Sequence, residues 1–174
     1  MKVYKKPIPP ESLIAHALPR IDYQDNYTIQ VSAEQEVQPA ELVKLFFQSF
    51  PKWFMALLYT REQIAKWIGL KTAHGMDVQG QLEAFQGQEG ESIALFHVLG
   101  SSDREVMLGE NDKHLDFRFS FLVNPTDDQQ ELCGATTVQY NGWLGRIYFF
   151  FVKPVHRLIM RVMMLRIGKR LGEG

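Results

Sequence analysis

A single cysteine, Cys133, stands in the whole chain, so no intramolecular disulfide can form and nothing calls for an oxidising compartment. Its setting in an apolar, strand-like run reads as a small buried residue and not as a reactive thiol. Also missing is any stretch of about 18 uninterrupted apolar residues, the length a membrane-spanning helix needs. The densest apolar run, from Ile147 to Val152, stops at Lys153 and Pro154. The first residues are basic, but Pro7, Pro9 and Pro10 break them. The short apolar run from Leu13 to Leu18 is interrupted by His16 and closed by Pro19, a poor match to a secretory signal. The expectation is a soluble cytoplasmic protein. There is no glycine-rich phosphate loop, no serine nucleophile elbow, no paired-cysteine motif and no zinc-protease string, so no cofactor is expected. The formal net charge of −1 provides no global field to attract nucleic acid.

What is present is apolar and aromatic. Hydrophobic residues make up 45% of the 174, among them 12 Phe, 6 Tyr and 3 Trp, enough for the core of one domain. Charge is unevenly spread. From Asn141 onward there are seven Lys and Arg against one acidic residue, Glu173, whereas the rest of the chain holds 12 basic and 19 acidic residues. A basic last segment can complement the negative end of a helix dipole, touch an anionic membrane or hold an anionic ligand.

Residues 1–20 read as an extended, proline-rich arm. Tyr27 to Val31 alternates as a short strand. Pro39 then opens a helix whose apolar face is Leu42, Val43, Leu45, Phe46 and Phe47. A second helix, with Ser49 as cap and Pro51 in its first turn, carries Trp53, Phe54, Leu57, Leu58, Ile64, Trp67 and Ile68 and ends at Gly69. Residues 70–90, rich in Gly and Gln, read as a long loop with a short strand near Leu82 to Phe85. Four strand-like runs follow, Ser92 to Leu99, Arg104 to Leu108, His114 to Val123 and Leu132 to Tyr140, joined by short breaks that imply antiparallel pairing. From Trp143 apolar residues recur every three or four positions: Val155, Leu158, Ile159, Val162 and Leu165, with Met160, Met163, Met164 and Ile167 on a second side. A helix so apolar packs against more than one layer. Residues 145–153 are read as its first part, with a strand as the alternative.

The run from His114 carries the most chemistry. His114, Asp116, Arg118 and Ser120 share one face, while Leu115, Phe117, Phe119 and Phe121 share the other. Neighbours on one face stand about 6.5 to 7 Å apart. That allows a relay from Arg118 through Asp116 to His114, in which His114 is a general base and Asp116 orients it, or in which Arg118 anchors a ligand carboxylate. The plainer reading is a structural salt-bridge network. A metal site is disfavoured, because Arg118 opposes a cation and no second His or Cys lies near. A second cluster, Arg146, Tyr148, His156 and Arg157, either faces a cavity mouth or snorkels from a buried helix. Met160, Met163 and Met164 form either a deformable ligand wall or plain core. Phe119 and Phe121 lack the basic face that base stacking requires.

Five strings carry a resemblance: Ile21-Asp22-Tyr23-x-Asp25-x-Tyr27; Pro51-x-Trp53 with Arg61; Gly109-x-x-Asp112-Lys113-His114-Leu115-Asp116-Phe117-Arg118; Asn141-x-x-Leu144-Gly145-Arg146-x-Tyr148; and Pro154-x-His156-Arg157. With them the chain resembles the bacterial domain of unknown function 2867, of the START-like (SRPBCC) superfamily. Val155 stands where that pattern has Phe. The resemblance implies a single α+β domain of helix-grip type, a curved antiparallel sheet wrapped around a long C-terminal helix, with two helices after the first strand. It also implies a cavity between sheet and helix for an apolar or amphipathic small molecule or lipid. The expected contacts are His114, Asp116, Arg118, Arg146, Tyr148, His156, Met160, Met163 and Met164, with binding favoured over turnover. The alternatives are a proton-transfer enzyme using His114 and Asp116, and a peripheral membrane or protein-interaction module using the basic C-terminal helix.

Overall fold

A computed structural model describes residues 2–51, 53 and 77–172. Seven strands form one antiparallel sheet: β1 (Tyr4–Lys5), β2 (Tyr23–Ser32), β3 (Ser92–Ile93), β4 (Phe96–Ser101), β5 (Glu105–Asn111), β6 (Leu115–Pro125) and β7 (Gln129–Tyr140). Their order across the sheet is β1-β2-β7-β6-β5-β4-β3. The described helices are a 3-10 turn at Leu13–His16, α1 (Pro39–Gln48), α2 (Val78–Ala84) and α3 (Gly142–Gly172). This is an α+β fold consistent with the helix grip: a curved sheet holding a long C-terminal helix.

The long strands follow from alternation. Val123, Phe121, Phe119 and Phe117 of β6 stand beside Leu132, Gly134, Thr136 and Val138 of β7, and those beside Ile29, Tyr27, Asp25 and Tyr23 of β2. These positions, odd-numbered on β2 and β6 and even-numbered on β7, form the inner face. Against it pack Leu42, Val43 and Phe46 of α1 and Ile159, Met160, Met163, Met164 and Ile167 of α3, in one continuous core. Phe46 meets Phe121 at a centroid distance of 5.1 Å. A methyl group built on Gly134 would stand 2.9 Å from Met164 Sδ, so the absent side chain lets helix and sheet close up. Arg166 Nη1 donates to Ser49 O at 2.8 Å and ties α3 to the end of α1.

The outer face is covered in its middle by the N-terminal arm. Ile14 packs with Met107 and Ala135, joined by Ile8 and Ala17. Buried Glu105 fixes the arm: its carboxylate accepts from Ser12 Oγ at 2.6 Å and from Leu13 N at 2.8 Å. The arm therefore has structure of its own, where an extended segment is the sequence expectation.

Several local readings need correction. The strand expected at Tyr27 to Val31 runs from Tyr23 to Ser32. The short strand expected near Leu82 to Phe85, inside a long loop, is mostly the helix α2. Its cap explains it: the Asp77 carboxylate accepts from Gly80 N at 2.9 Å, and Val78 and Leu82 then share one face. The run from Ser92 is split by a turn at Ala94, whose φ is +53°, and resumes as β4. Residues 145–153 are helical, as read. The first helix stands where Pro39 places it. The second, expected from Ser49 to Gly69, lies outside the described residues except for its first residues, as do residues 70–76 of the loop expected after it.

Candidate functional site

The row His114, Asp116, Arg118 does not form the relay its spacing allows. His114 sits in the bend before β6, and among the described residues its backbone carbonyl, not its imidazole, is the group in use. That carbonyl accepts from Asn141 N at 2.8 Å. Asn141 Nδ2 donates to Asp112 O at 3.0 Å and to Asp116 Oδ1 at 3.1 Å. Arg118, nearly buried, gives its guanidinium to two main-chain carbonyls, Phe117 O at 3.0 Å and Glu110 O at 3.3 Å. Burial lowers its pKa, with Asp116 and Glu110 opposing the shift. The row also faces away from α3. Phe117 and Phe121, one residue out of phase with it, face the helix, and Phe117 meets the His156 ring at 6.3 Å. Arg118 and Asp116 thus belong to the outer face, because strand side chains alternate. The expectation that this row and the methionine helix line one common space is corrected by that register.

What the strings at 109–118 and 141–148 build is a corner. Gly145 lies against His114 so closely that a methyl group there would stand 1.9 Å from the His114 carbonyl oxygen. Gly142, with φ at +86°, turns the chain from β7 into α3. The corner fixes the direction in which α3 leaves the sheet.

Two of the remaining three strings, at 21–27 and 154–157, meet beneath the helix, while the string from Pro51 to Arg61 lies largely outside the described residues. Tyr23, Asp25 and Tyr27 alternate on β2 and point inward. His156 and Arg157 come from the middle of α3. His156 Nε2 stands 3.3 Å from Asp25 Oδ1, and the Tyr23 hydroxyl donates to Asp25 Oδ2. Arg157 Nε approaches the Tyr23 hydroxyl at 3.4 Å. Phe149 tilts against the Tyr23 ring at 4.8 Å, and Lys153 Nζ sits over the same ring at 5.2 Å. Asp25 is only 3% exposed, so a carboxylate is held under a helix by a phenol and an imidazole. Burial, and then the Asp25 carboxylate beside it, push the Tyr23 phenol far above its usual pKa of 10. Tyr27 moves the same way for the same two reasons. Thr136, beside Asp25 on β7, keeps a buried hydroxyl that meets no hydrogen-bond partner among the described residues.

Of the residues expected to touch a ligand, His156 joins this cluster. Met160, Met163 and Met164 are buried in the adjoining core. Arg146 is exposed, and its charge acts on Asp22 and Tyr140. Tyr148 is half-buried on the first turns of α3. Tyr23 and Asp25 carry the cluster although no chemistry was expected of them; the signal was an acid two residues from each of two tyrosines in a strand pattern. Cys133 is buried and contacts Thr28 Oγ1 at 3.4 Å, as its apolar setting implies. Among the described residues no group of three or more metal-ligating side chains forms, and no helix is long and apolar enough to cross a membrane.

The family model described as "Protein of unknown function (DUF2867)" matches residues 17–163. No curated protein matches the chain. Among solved structures, the "conserved protein from Geobacillus kaustophilus" is similar at 13% identity with a TM-score of 0.41, covering 87% of this chain and 96% of that one.

Proposed function

We propose, for a chain that belongs to the DUF2867 family of proteins of unknown function, that it binds an amphipathic small molecule or lipid between the sheet and α3. The apolar part lies along Phe121 and along Met160, Met163 and Met164, whose flexible thioethers can yield to a guest. The polar end is held by Tyr23, Asp25, His156 and Thr136. One observation carries this reading: a charged cluster buried in an otherwise apolar inner face, beside a hydroxyl with no partner among the described residues. Leaving such a group unsatisfied costs about 1 to 3 kcal/mol, which a ligand hydroxyl or carboxylate would recover. The resemblance to the START-like superfamily favours the same location. His114, Asp116 and Arg118 serve in this reading as framework.

Native mass spectrometry of freshly purified protein tests it. The expected result is an added small-molecule mass that disappears on denaturation. Extracted protein should then bind a fluorescent fatty acid saturably, and His156→Gln should weaken that binding about tenfold or more, as loss of one charge-assisted bond does. Absence of both added mass and saturable binding would remove the proposal. A second reading rests on the Asp25–His156 contact alone. A carboxylate that orients an imidazole suits proton transfer, with His156 in the role expected of His114. That reading predicts that the co-purified molecule takes up deuterium from heavy water in the presence of the protein and does not do so with His156→Gln.

A further inference from the structure

The outward side of the first half of α3 is largely apolar. Trp143, Leu144, Ile147, Phe150, Phe151 and Leu158 recur at three- and four-residue spacing, so they form one stripe opposite Phe149, His156 and Met163. They are solvent-exposed: Trp143 69%, Phe150 72%, Phe151 70%. From Trp143 to Leu158 the stripe runs about 22 Å along the helix. Single exposed apolar residues are ordinary, but a contiguous ridge with a Trp and two Phe marks a contact surface.

Charge says what kind. Residues 142–172 carry Arg146, Lys153, Arg157, Arg161, Arg166, Lys169 and Arg170 and no Asp or Glu. By helical spacing Arg146, Lys153 and Arg157 flank the ridge on one side, and Arg161 continues its line. The nearby carboxylate of Asp22 is already paired with Arg20 at 3.0 Å. A second copy docking here by two-fold symmetry would set this same positive stripe against itself. The surface is also a convex ridge, which a flat, deformable partner fits. The opposite side of the helix is locked into the sheet, so α3 can lie on a bilayer but not cross it.

We infer that the exposed aromatic ridge and basic flank of α3 dock this protein on an anionic phospholipid membrane. Trp143, Ile147, Phe150 and Phe151 enter the boundary between head groups and acyl chains, while the flanking cations meet lipid phosphates. Each cation near such a surface strengthens binding about fivefold, and salt weakens it.

The test is sedimentation of the full chain with vesicles of phosphatidylcholine alone or mixed with phosphatidylserine, alongside Trp fluorescence. Pelleting with the mixed vesicles only, lost in high salt, is the expected result. A blue shift absent from Trp143→Phe is expected with it. Phe150→Ser combined with Phe151→Ser should abolish pelleting, and Arg161→Glu with Lys169→Glu should weaken it at least tenfold. All four positions are exposed, and unchanged melting temperatures would show that the variants fold. No pelleting with mixed vesicles, or equal pelleting with both kinds, overturns the inference. So does a concentration-dependent dimer that the Phe150→Ser, Phe151→Ser variant fails to form, because the ridge would then be an interface between copies.

Discussion

Replacing Gly145 by Ala should be among the most damaging single-methyl changes in this chain. The new Cβ would stand 1.9 Å from the His114 carbonyl oxygen and 3.0 Å from the His114 carbonyl carbon. An ordinary carbon–oxygen contact lies near 3.3 Å, so the two segments must part by more than an ångström. Both contacts are backbone, and no side-chain rotation can relieve them. Separation breaks the bond from Asn141 N to His114 O and strains those from Asn141 Nδ2 to Asp112 and Asp116. Two or three hydrogen bonds at about 1 kcal/mol each, with overpacking of about 1 to 3 kcal/mol, give a loss of roughly 3 to 6 kcal/mol. For a domain of this size that is roughly 6 to 24 °C in melting temperature. Urea denaturation with tryptophan fluorescence measures it. His114→Ala is the sharp companion, because the corner uses only the backbone of that residue. It should stay within about 1 kcal/mol of the parent. If Gly145→Ala is as mild as an ordinary surface change, or if His114→Ala matches it in severity, the corner does not hold the helix as described.

Other outcomes follow from single contacts. The Tyr23 phenol binds its proton more tightly in the folded state, so its contribution is intact below about pH 10 and falls as pH climbs above that value; between about pH 10 and 12 the parent should lose melting temperature more steeply than Tyr23→Phe. Glu105→Ala removes both anchors of the arm, and limited proteolysis should then cut within residues 5–20 much faster while the core survives. Burial raises the Cys133 thiol above its usual pKa, so Ellman's reagent should react slowly in buffer and quickly in urea; fast reaction in buffer would contradict its buried position.

The strands and the last helix could be read from the chain because their periods are long and consistent: Phe117, Phe119 and Phe121 on one side of β6, and Ile159, Met160, Met163 and Ile167 on one side of α3. The orientation of the His114, Asp116, Arg118 row could not. Alternation states which side chains share a face but not which face the helix covers, and here the N-terminal arm covers part of the other one, so both faces of β6 hold buried residues. The helix at Val78 was hidden by Gly80, Gly87 and Gly90 around it, whereas its cause was one local contact from Asp77. Tyr23 and Asp25 were missed as a site because their partner, His156, lies 131 residues away from Asp25. Extending the alternation of Tyr27 to Val31 two steps backwards would have put an acid on an aromatic face, where a partner is required.

β1 is only two residues long, and it covers Tyr27 and Thr28 alone of the ten residues of β2. Lys6 N adds one more bond to Asn26 O, and then Pro7, Pro9 and Pro10 end any continuation, since they have no N–H to give. This short, proline-stopped and lysine-bearing border is what keeps a ten-residue edge from templating neighbouring molecules. Trimming the first ten residues would bare that edge, and the protein would then be expected to grow fibrils by strand addition under conditions where the intact chain stays dispersed.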